Sequence, residues 1–315
     1  MGRKMLTRFF VFAVMLTFSL VLGCGGQEKV NFKESQQFLA VDFNNEGTIL
    51  AGIGKNGAII LWDAIKQAKI KTLESKDRKA SSLDFNKDGS LLAVGQDGGQ
   101  VQILSMPEGE EKQALKSGTS TIKALAFSPD GKNIAIASKQ AIEIWSTANF
   151  KKTSSLPKSG QMQELAWTPD SKSILAGGSD FNLHVFSIDG TSQSIIKGHI
   201  KAISALSVSK DGKKAASGDR AGKILLWDWG SKNPVSTEIT AHQGGVDSLS
   251  FSSDASLLAS AGRDDLVKTW STSNSENLQT FKGHKNDVRG VVFAPDGKSI
   301  ASAGLDGTVK IWEVK

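Results

Sequence analysis

The sequence predicts an all-β fold made of seven similar units, each holding about four short antiparallel strands. Three observations carry this. An apolar-rich segment ends in a large or β-branched residue at Phe43, Phe85, Phe127, Trp167, Val208, Phe251 and Phe293, at intervals of 42, 42, 40, 41, 43 and 42. A later segment ends at Trp62, Leu104, Trp145, Phe186, Trp227, Trp270 and Trp312, at intervals of 42, 41, 41, 41, 43 and 42. A turn-forming tetrapeptide follows every first marker, as in Ser128-Pro129-Asp130-Gly131 and Ala294-Pro295-Asp296-Gly297. Two independent markers with one period signal a repeat architecture. Pro presets φ and Gly permits positive φ, so the tetrapeptides read as tight turns.

Hydrophobic residues make up 39% and charged residues 22% of the 315, with 32 glycines. That balance excludes a disordered chain and a collagen-like repeat. One cysteine excludes an internal disulfide and a Cys-rich metal site. The formal charge is +6. Arg3, Lys4 and Arg8 supply three of those charges, so the rest of the chain is nearly balanced and no nucleic-acid partner is expected.

The chain begins with a basic stretch and a 14-residue apolar run, Phe9 to Leu22. That is shorter than the ~20 residues of a spanning helix and fits the apolar region of a secretory signal. Val21-Leu22-Gly23-Cys24 ends it. The segment resembles a bacterial lipoprotein signal peptide. The resemblance implies a cleaved signal over 1–23, acylation of Cys24, a linker over 24–28, and a cell-envelope location held by lipid. Gly25 after the cysteine favours the outer membrane where a cell has two.

Within each unit the second strand reads like Ile300-Ala301-Ser302 and the third like Thr308-Val309-Lys310-Ile311-Trp312. The fourth is looser, as in Asn277 to Phe281. Trp62-Asp63, Trp227-Asp228, Gly198-His199, Gly283-His284 and the near match Ala241-His242 make the chain similar to the WD-repeat family. Leu104-Ser105 and Phe186-Ser187 depart from its pattern. The resemblance implies a seven-bladed β-propeller over 29–315, four antiparallel strands per blade. The chain stops after the third strand of its last unit. Lys29 to Lys33 alternates like the missing outer strand and is expected to complete that blade.

His284, Ser302 and Asp306 have the composition of a hydrolase triad. The family resemblance gives another role: a buried network, with Trp312, that locks a loop onto its blade. His242, Ser260, Asp264 and Trp270 recur at the same offsets, and a set that recurs reads as structural. Unit five is expected to break the pattern, because Ala221 falls where the Asp belongs and Asp219 lies two places early. Units one to four lack the leading His and should be looser. His184 sits on the polar side of an alternation and reads as exposed. Gly52-x-Gly54-x-x-Gly57 matches a dinucleotide fingerprint as a string, but a strand follows where a helix is needed. Asp84-x-Asn86-x-Asp88-Gly89 lacks the closing Glu of a calcium loop.

No catalytic residue, cofactor or metal is expected. What remains is surface. Four places before each first marker stand Leu39, Ser81, Lys123, Gln163, Ser204, Asp247 and Arg289. In family propellers this register faces the partner side of the central channel. Lys123, Lys139, Arg220, Arg263 and Arg289, with Asp247 opposing, form a candidate rim for a protein partner with acidic segments. Trp229 reads either as an exposed anchor or as cover for an outer edge. The chain is expected to be a monomeric, lipid-anchored, non-enzymatic scaffold. Its rivals are an enzyme or small-ligand binder using the central channel, and a component of outer-membrane assembly.

Overall fold

The computed structural model describes residues 26–73, 79–139, 141–156, 160–191, 193–231 and 234–315. The signal segment, Cys24 and Gly25 lie outside these residues. Seven four-stranded antiparallel sheets form seven blades around one axis. Blade 6 shows the order from the axis outward: Val246–Phe251, Leu257–Gly262, Leu266–Ser271 and Asn277–Lys282. Blades 1 to 5 repeat it over 38–73, 80–116, 122–156, 162–196 and 203–240.

Blade 7 takes three strands from the C-terminus, Val288–Phe293, Ser299–Gly304 and Thr308–Glu313, and its outer strand from Glu28–Lys33. Val30 pairs with Ile311 and Lys33 with Thr308. Phe32 of this strand stacks on Trp62 of blade 1 at 5.3 Å. The Glu28 carboxylate reaches the buried Lys310 ammonium at 2.6 Å. The N-terminal strand thus closes the ring, as the missing fourth strand of the last unit predicts.

The core is divided among the seams. Seven apolar clusters each straddle two neighbouring blades. The seam of blades 7 and 1, for example, packs Phe32, Val309 and Ile311 against Phe38, Leu50, Ile60 and Trp62. A blade is covered on both faces, so its strands read as near-continuous apolar runs such as Ile59–Asp63, IILWD. Gly52 and Gly54 lie in the preceding strand Ile49–Gly54 and Gly57 in the turn between the two, so the string belongs to a β-hairpin. The turn tetrapeptides hold by side-chain bonds: Ser128 Oγ donates to Asp130 at 2.6 Å, and the Lys132 N–H donates to the same carboxylate oxygen.

Inner strands are stitched to each other one repeat apart. Asp42 accepts the Phe85 N–H at 3.1 Å, Asp84 the Phe127 N–H at 2.6 Å, and Ser250 Oγ the Phe293 N–H at 3.0 Å. Ser81 and Ser204 donate to the carbonyls of Ile122 and Val246, each at 2.6 Å. The strand edges facing the axis carry backbone groups that no sheet pairs, and these side chains satisfy them. Asp42 and Asp84 therefore serve the ring seams.

Candidate functional site

Each inner strand carries one extra residue in its pairing. The register skips between Phe38 and Ala40, Ala80 and Ser82, Ile122 and Ala124, Met162 and Glu164, Ile203 and Ala205, Val246 and Ser248, and Val288 and Gly290. The residues left out are Leu39, Ser81, Lys123, Gln163, Ser204, Asp247 and Arg289, the same seven that the repeat register singles out. A bulge breaks the ladder locally and re-aims its side chain. Seven bulges at the same end of seven strands give the ring one face set apart from the sheets.

The charges on that face are unevenly spent. Arg263 forks onto Asp247 at 2.9 and 3.0 Å, and Arg289 bonds Asp247 at 3.1 Å and Asp287 at 2.9 Å. On this arc, over blades 6 and 7, the arginines of the predicted rim are already neutralised. Lys123, Lys139 and Arg220 are exposed and form no ion pair among the described residues. Lys123 and Lys139 line one cleft of about 400 Å³ with Gly98, Thr119, Ser120, Thr121, Gln161, Met162 and Gln163, which spans blades 2 to 4.

The Ser-His-Asp sets are on the same side of the ring, behind this face. In blade 6, His242 Nδ1 lies 2.7 Å from Asp264, its Nε2 lies 2.7 Å from Ser260 Oγ, and Trp270 Nε1 donates to that hydroxyl at 2.8 Å. In blade 7, His284 bonds Asp306 at 3.1 Å and Ser302 at 2.7 Å, and Trp312 donates to Ser302 at 2.8 Å. Thr308 donates to Asp306 at 2.7 Å. Blade 5 corrects the expectation of a broken set. His199 bonds Asp219 at 2.9 Å and Ser217 at 2.7 Å, and Trp227 donates to Ser217 at 2.9 Å. Asp219 ends its strand instead of sitting in the turn, but its carboxylate still reaches His199 and also accepts the N–H groups of Ala221 and Lys223.

All three serines are fully buried, with the Trp N–H on one side and the imidazole on the other. No substrate carbonyl can reach a hydroxyl in that position. Burial pushes the Asp219, Asp264 and Asp306 carboxyls upward, but the bonds from His199, His242 and His284, with those from turn N–H groups, outweigh it and hold all three below the usual carboxylate range.

Blade 4 departs from the expectation of an exposed His184. Its imidazole is 2% exposed, bonds Asp180 at 2.6 Å and Gln193 at 3.0 Å, and stacks on Phe186. Alternation marks a polar face, but in a ring that face is covered: Phe186, on the same side, packs in the seam of blades 3 and 4. Trp229 is half-buried against the cluster of Leu175, Leu183, Leu225 and Trp227, so it covers the seam of blades 4 and 5.

A feature that composition did not reveal is the set of acidic groups near the axis. Burial raises Asp42 to about 7 and Glu164 to about 8. It raises Asp84 well above the ordinary value, and the neighbouring Asp42 charge adds to this. Among the described residues, no group of three or more His, Cys, Asp or Glu could hold a metal ion.

The model of the WD domain, G-beta repeat matches residues 109–146, 190–228, 232–271 and 275–313, and that of the anaphase-promoting complex subunit 4 WD40 domain matches 65–122. The chain is a WD40-repeat propeller. It is similar to the 66 kDa stress protein of Physarum polycephalum, 28% identical over 37% of this chain and 20% of that protein. It is also similar to actin-interacting protein 1-2 of Arabidopsis thaliana, 29% identical over 38% and 20%. WD repeat-containing protein 1 of Xenopus tropicalis is 28% identical over 44% and 32%. The chain spans between a fifth and a third of the length of these relatives.

Proposed function

We propose that this WD40-repeat propeller is a non-enzymatic scaffold, tethered to a bacterial membrane by lipid on Cys24, that presents its bulged face to an envelope protein. The observation that carries the reading is the ring of seven bulges at one end, two of which, Ser81 and Ser204, stitch neighbouring blades while Lys123 is left exposed. The buried serines remove the triad-like sets from catalysis. A relative that matches a third of this chain is named for interacting with actin, which fits an interaction role without assigning that partner.

The tether and the face agree in direction. The Glu313 N–H donates to the Gln27 carbonyl at 3.1 Å. Gln27 therefore lies at the end of the last strand, opposite the turn that carries Asp306. Gly26 packs flat on Phe281, where a Cβ would meet the ring. Lipid two residues earlier would leave the bulged face turned away from the bilayer.

Photocrosslinkers at Leu39, Lys123, Arg220 and Arg289 in intact cells test the reading. A discrete captured protein supports it. Capture of nothing from any of the four positions, with a small molecule stabilising the purified chain by mass action, moves the function to the central channel. Cys24→Ser is expected to release the protein from membranes and to abolish labelling by radioactive palmitate. Unchanged membrane association would sink the tether.

A further inference from the structure

We infer that the cleft over blades 2 to 4 is a docking site for an extended acidic protein segment with an apolar side chain, Lys123 and Lys139 meeting its carboxylates and Phe181 its apolar group. This deepens the scaffold reading and rests on it. Four observations converge.

The first is unspent charge. Neither Lys123 nor Lys139 has a hydrogen-bonded or ionic partner among the described residues, whereas Arg263 and Arg289 on the opposite arc are held by Asp247 and Asp287. An incoming carboxylate must break existing pairs on that arc but not in the cleft. The nearest acids are already engaged, Asp97 by Thr121 at 2.8 Å and Asp180 by His184.

The second is a strained aromatic. Phe181 has φ +68 and is 41% exposed. The equivalent turn position is Gly57, Gly222 and Gly307 in blades 1, 5 and 7, with φ of +92, +87 and +80, and the small polar Asp265 in blade 6, with φ +63. A bulky side chain in the left-handed region is disfavoured. Its exposed part gains no packing from its own chain, and strained residues of this kind cluster at functional sites.

The third is continuity. The Ser179 N–H, two residues from Phe181, donates to the carbonyl of Gln161, which lines the cleft. The turn that carries Phe181 is thus tied to the strand entry that lines one side of the cleft.

The fourth is shape. Gly118 stands four residues before the buried Ile122 of blade 3, where blades 5, 6 and 7 place His199, His242 and His284 before Ile203, Val246 and Val288. No imidazole fills that corner. Ser117 Oγ, beside Gly118, is buried without a partner among the described residues. The cleft has the volume of a small ligand site. Carboxylates on an extended segment can meet both ammonium groups while a neighbouring side chain covers Phe181.

The probe is a fluorescein-labelled peptide, Asp-Glu-Phe-Asp-Glu-Leu, read by anisotropy against the full chain, with its Asn/Gln counterpart as control. The acidic peptide is expected to bind and the amide version to fail, with affinity falling as salt rises. The double variant Lys123→Glu with Lys139→Glu should weaken binding about tenfold or more. Phe181→Gly should weaken it too while raising the thermal midpoint, a pairing that a merely structural role cannot produce. Lys132→Glu with Lys172→Glu, exposed in the turns at the far end of blades 3 and 4, should change nothing.

Equal binding by the Lys123/Lys139 variant, or no binding of the acidic peptide to the wild-type chain, overturns the proposal. So does citrate that displaces the peptide and binds the Phe181→Gly variant undiminished, which would make the cleft a small-anion pocket. The scaffold reading fails separately, by absence of capture at every rim position. Capture that survives Lys123→Glu with Lys139→Glu sinks the cleft alone.

Discussion

Blades 5, 6 and 7 and blades 2, 3 and 4 are built on the same backbone and the same period, yet they spend their polar groups differently. In the first arc every blade ties its entry loop to its second turn through His, Asp, Ser and Trp. Arg263 and Arg289 are closed by carboxylates on the same arc. In the second arc Gly118 replaces a histidine, Leu104 and Phe186 replace tryptophan, and two lysines stand open. Apart from the exposed Arg220, the first arc turns its chemistry inward for cohesion; the second buries His184 but leaves its two lysines outward. A repeat protein can divide labour in this way because each unit interacts mainly with its neighbours.

The largest test of that contrast is Asp306→Ala. It strands the His284 ring and the N–H groups of Lys285 and Thr308, which now donate to Asp306. Loss of a buried charged acceptor should cost about 3 kcal/mol in a denaturant titration. Lys139→Ala in the open arc should cost less than about 0.5 kcal/mol. Hydrogen exchange should show the same order, with entry loops of blades 5 to 7 more protected than that of blade 3. Equal protection would break the comparison.

Next is the closure of the ring. Lys310 is 3% exposed and its ammonium is held by Glu28, with the Trp312 ring 5.8 Å away. Glu28→Gln leaves a buried ammonium with a weaker acceptor. Because Glu28 itself is partly exposed, a cost of about 1–2 kcal/mol is expected, below that of a fully buried pair. A calorimetric midpoint unchanged by Glu28→Gln would show that the strand is held by Phe32 and backbone pairing alone.

The pH dependence separates the locks of blades 5 to 7 from the acids near the axis in blades 1, 2 and 4. Asp219, Asp264 and Asp306 are held below the ordinary range, so their contribution is present above pH ~4 and is lost as pH falls through their folded values. Asp42 at about 7, Glu164 at about 8 and the raised Asp84 act in the opposite sense. There the native state binds more protons than the unfolded chain, so stability falls as pH rises from ~4 through 7 to 8. Asp42→Asn keeps an acceptor for the Phe85 N–H without a charge. It should gain on the order of 1 kcal/mol at pH 8 and nothing at pH 4, read as a denaturant midpoint. A pH-independent effect would remove the titration argument.

The ring was legible in the sequence because its period is enforced by packing: every blade needs a large residue at the seam, and the two marker series record that need. The locks of blades 6 and 7 were legible from identical spacing, whereas the lock of blade 5 was missed because a carboxylate can reach one imidazole from two backbone positions. His184 was misread because alternation identifies a polar face but does not say what covers it. The rim register came from counting back along the repeat. Which of its charges are already paired could not be read there, since Asp247 meets Arg263 and Arg289 across turns and blades.

The smallest effect tests whether the locked arc is optimised throughout. Thr269 lies in the third strand of blade 6, 1% exposed, and its hydroxyl has no partner among the described residues. Thr272, three residues on, donates to the Ala255 carbonyl at 2.7 Å. The two buried threonines differ in that bond, so the same substitution should have opposite signs. Thr269→Val removes an unsatisfied hydroxyl at nearly constant shape and should gain about 0.5–1 kcal/mol. Thr272→Val leaves a carbonyl short of a donor and should lose about 1 kcal/mol. If both lose stability, Thr269 holds a bonded partner such as an internal water, and the locked arc is satisfied more completely than its side chains alone indicate.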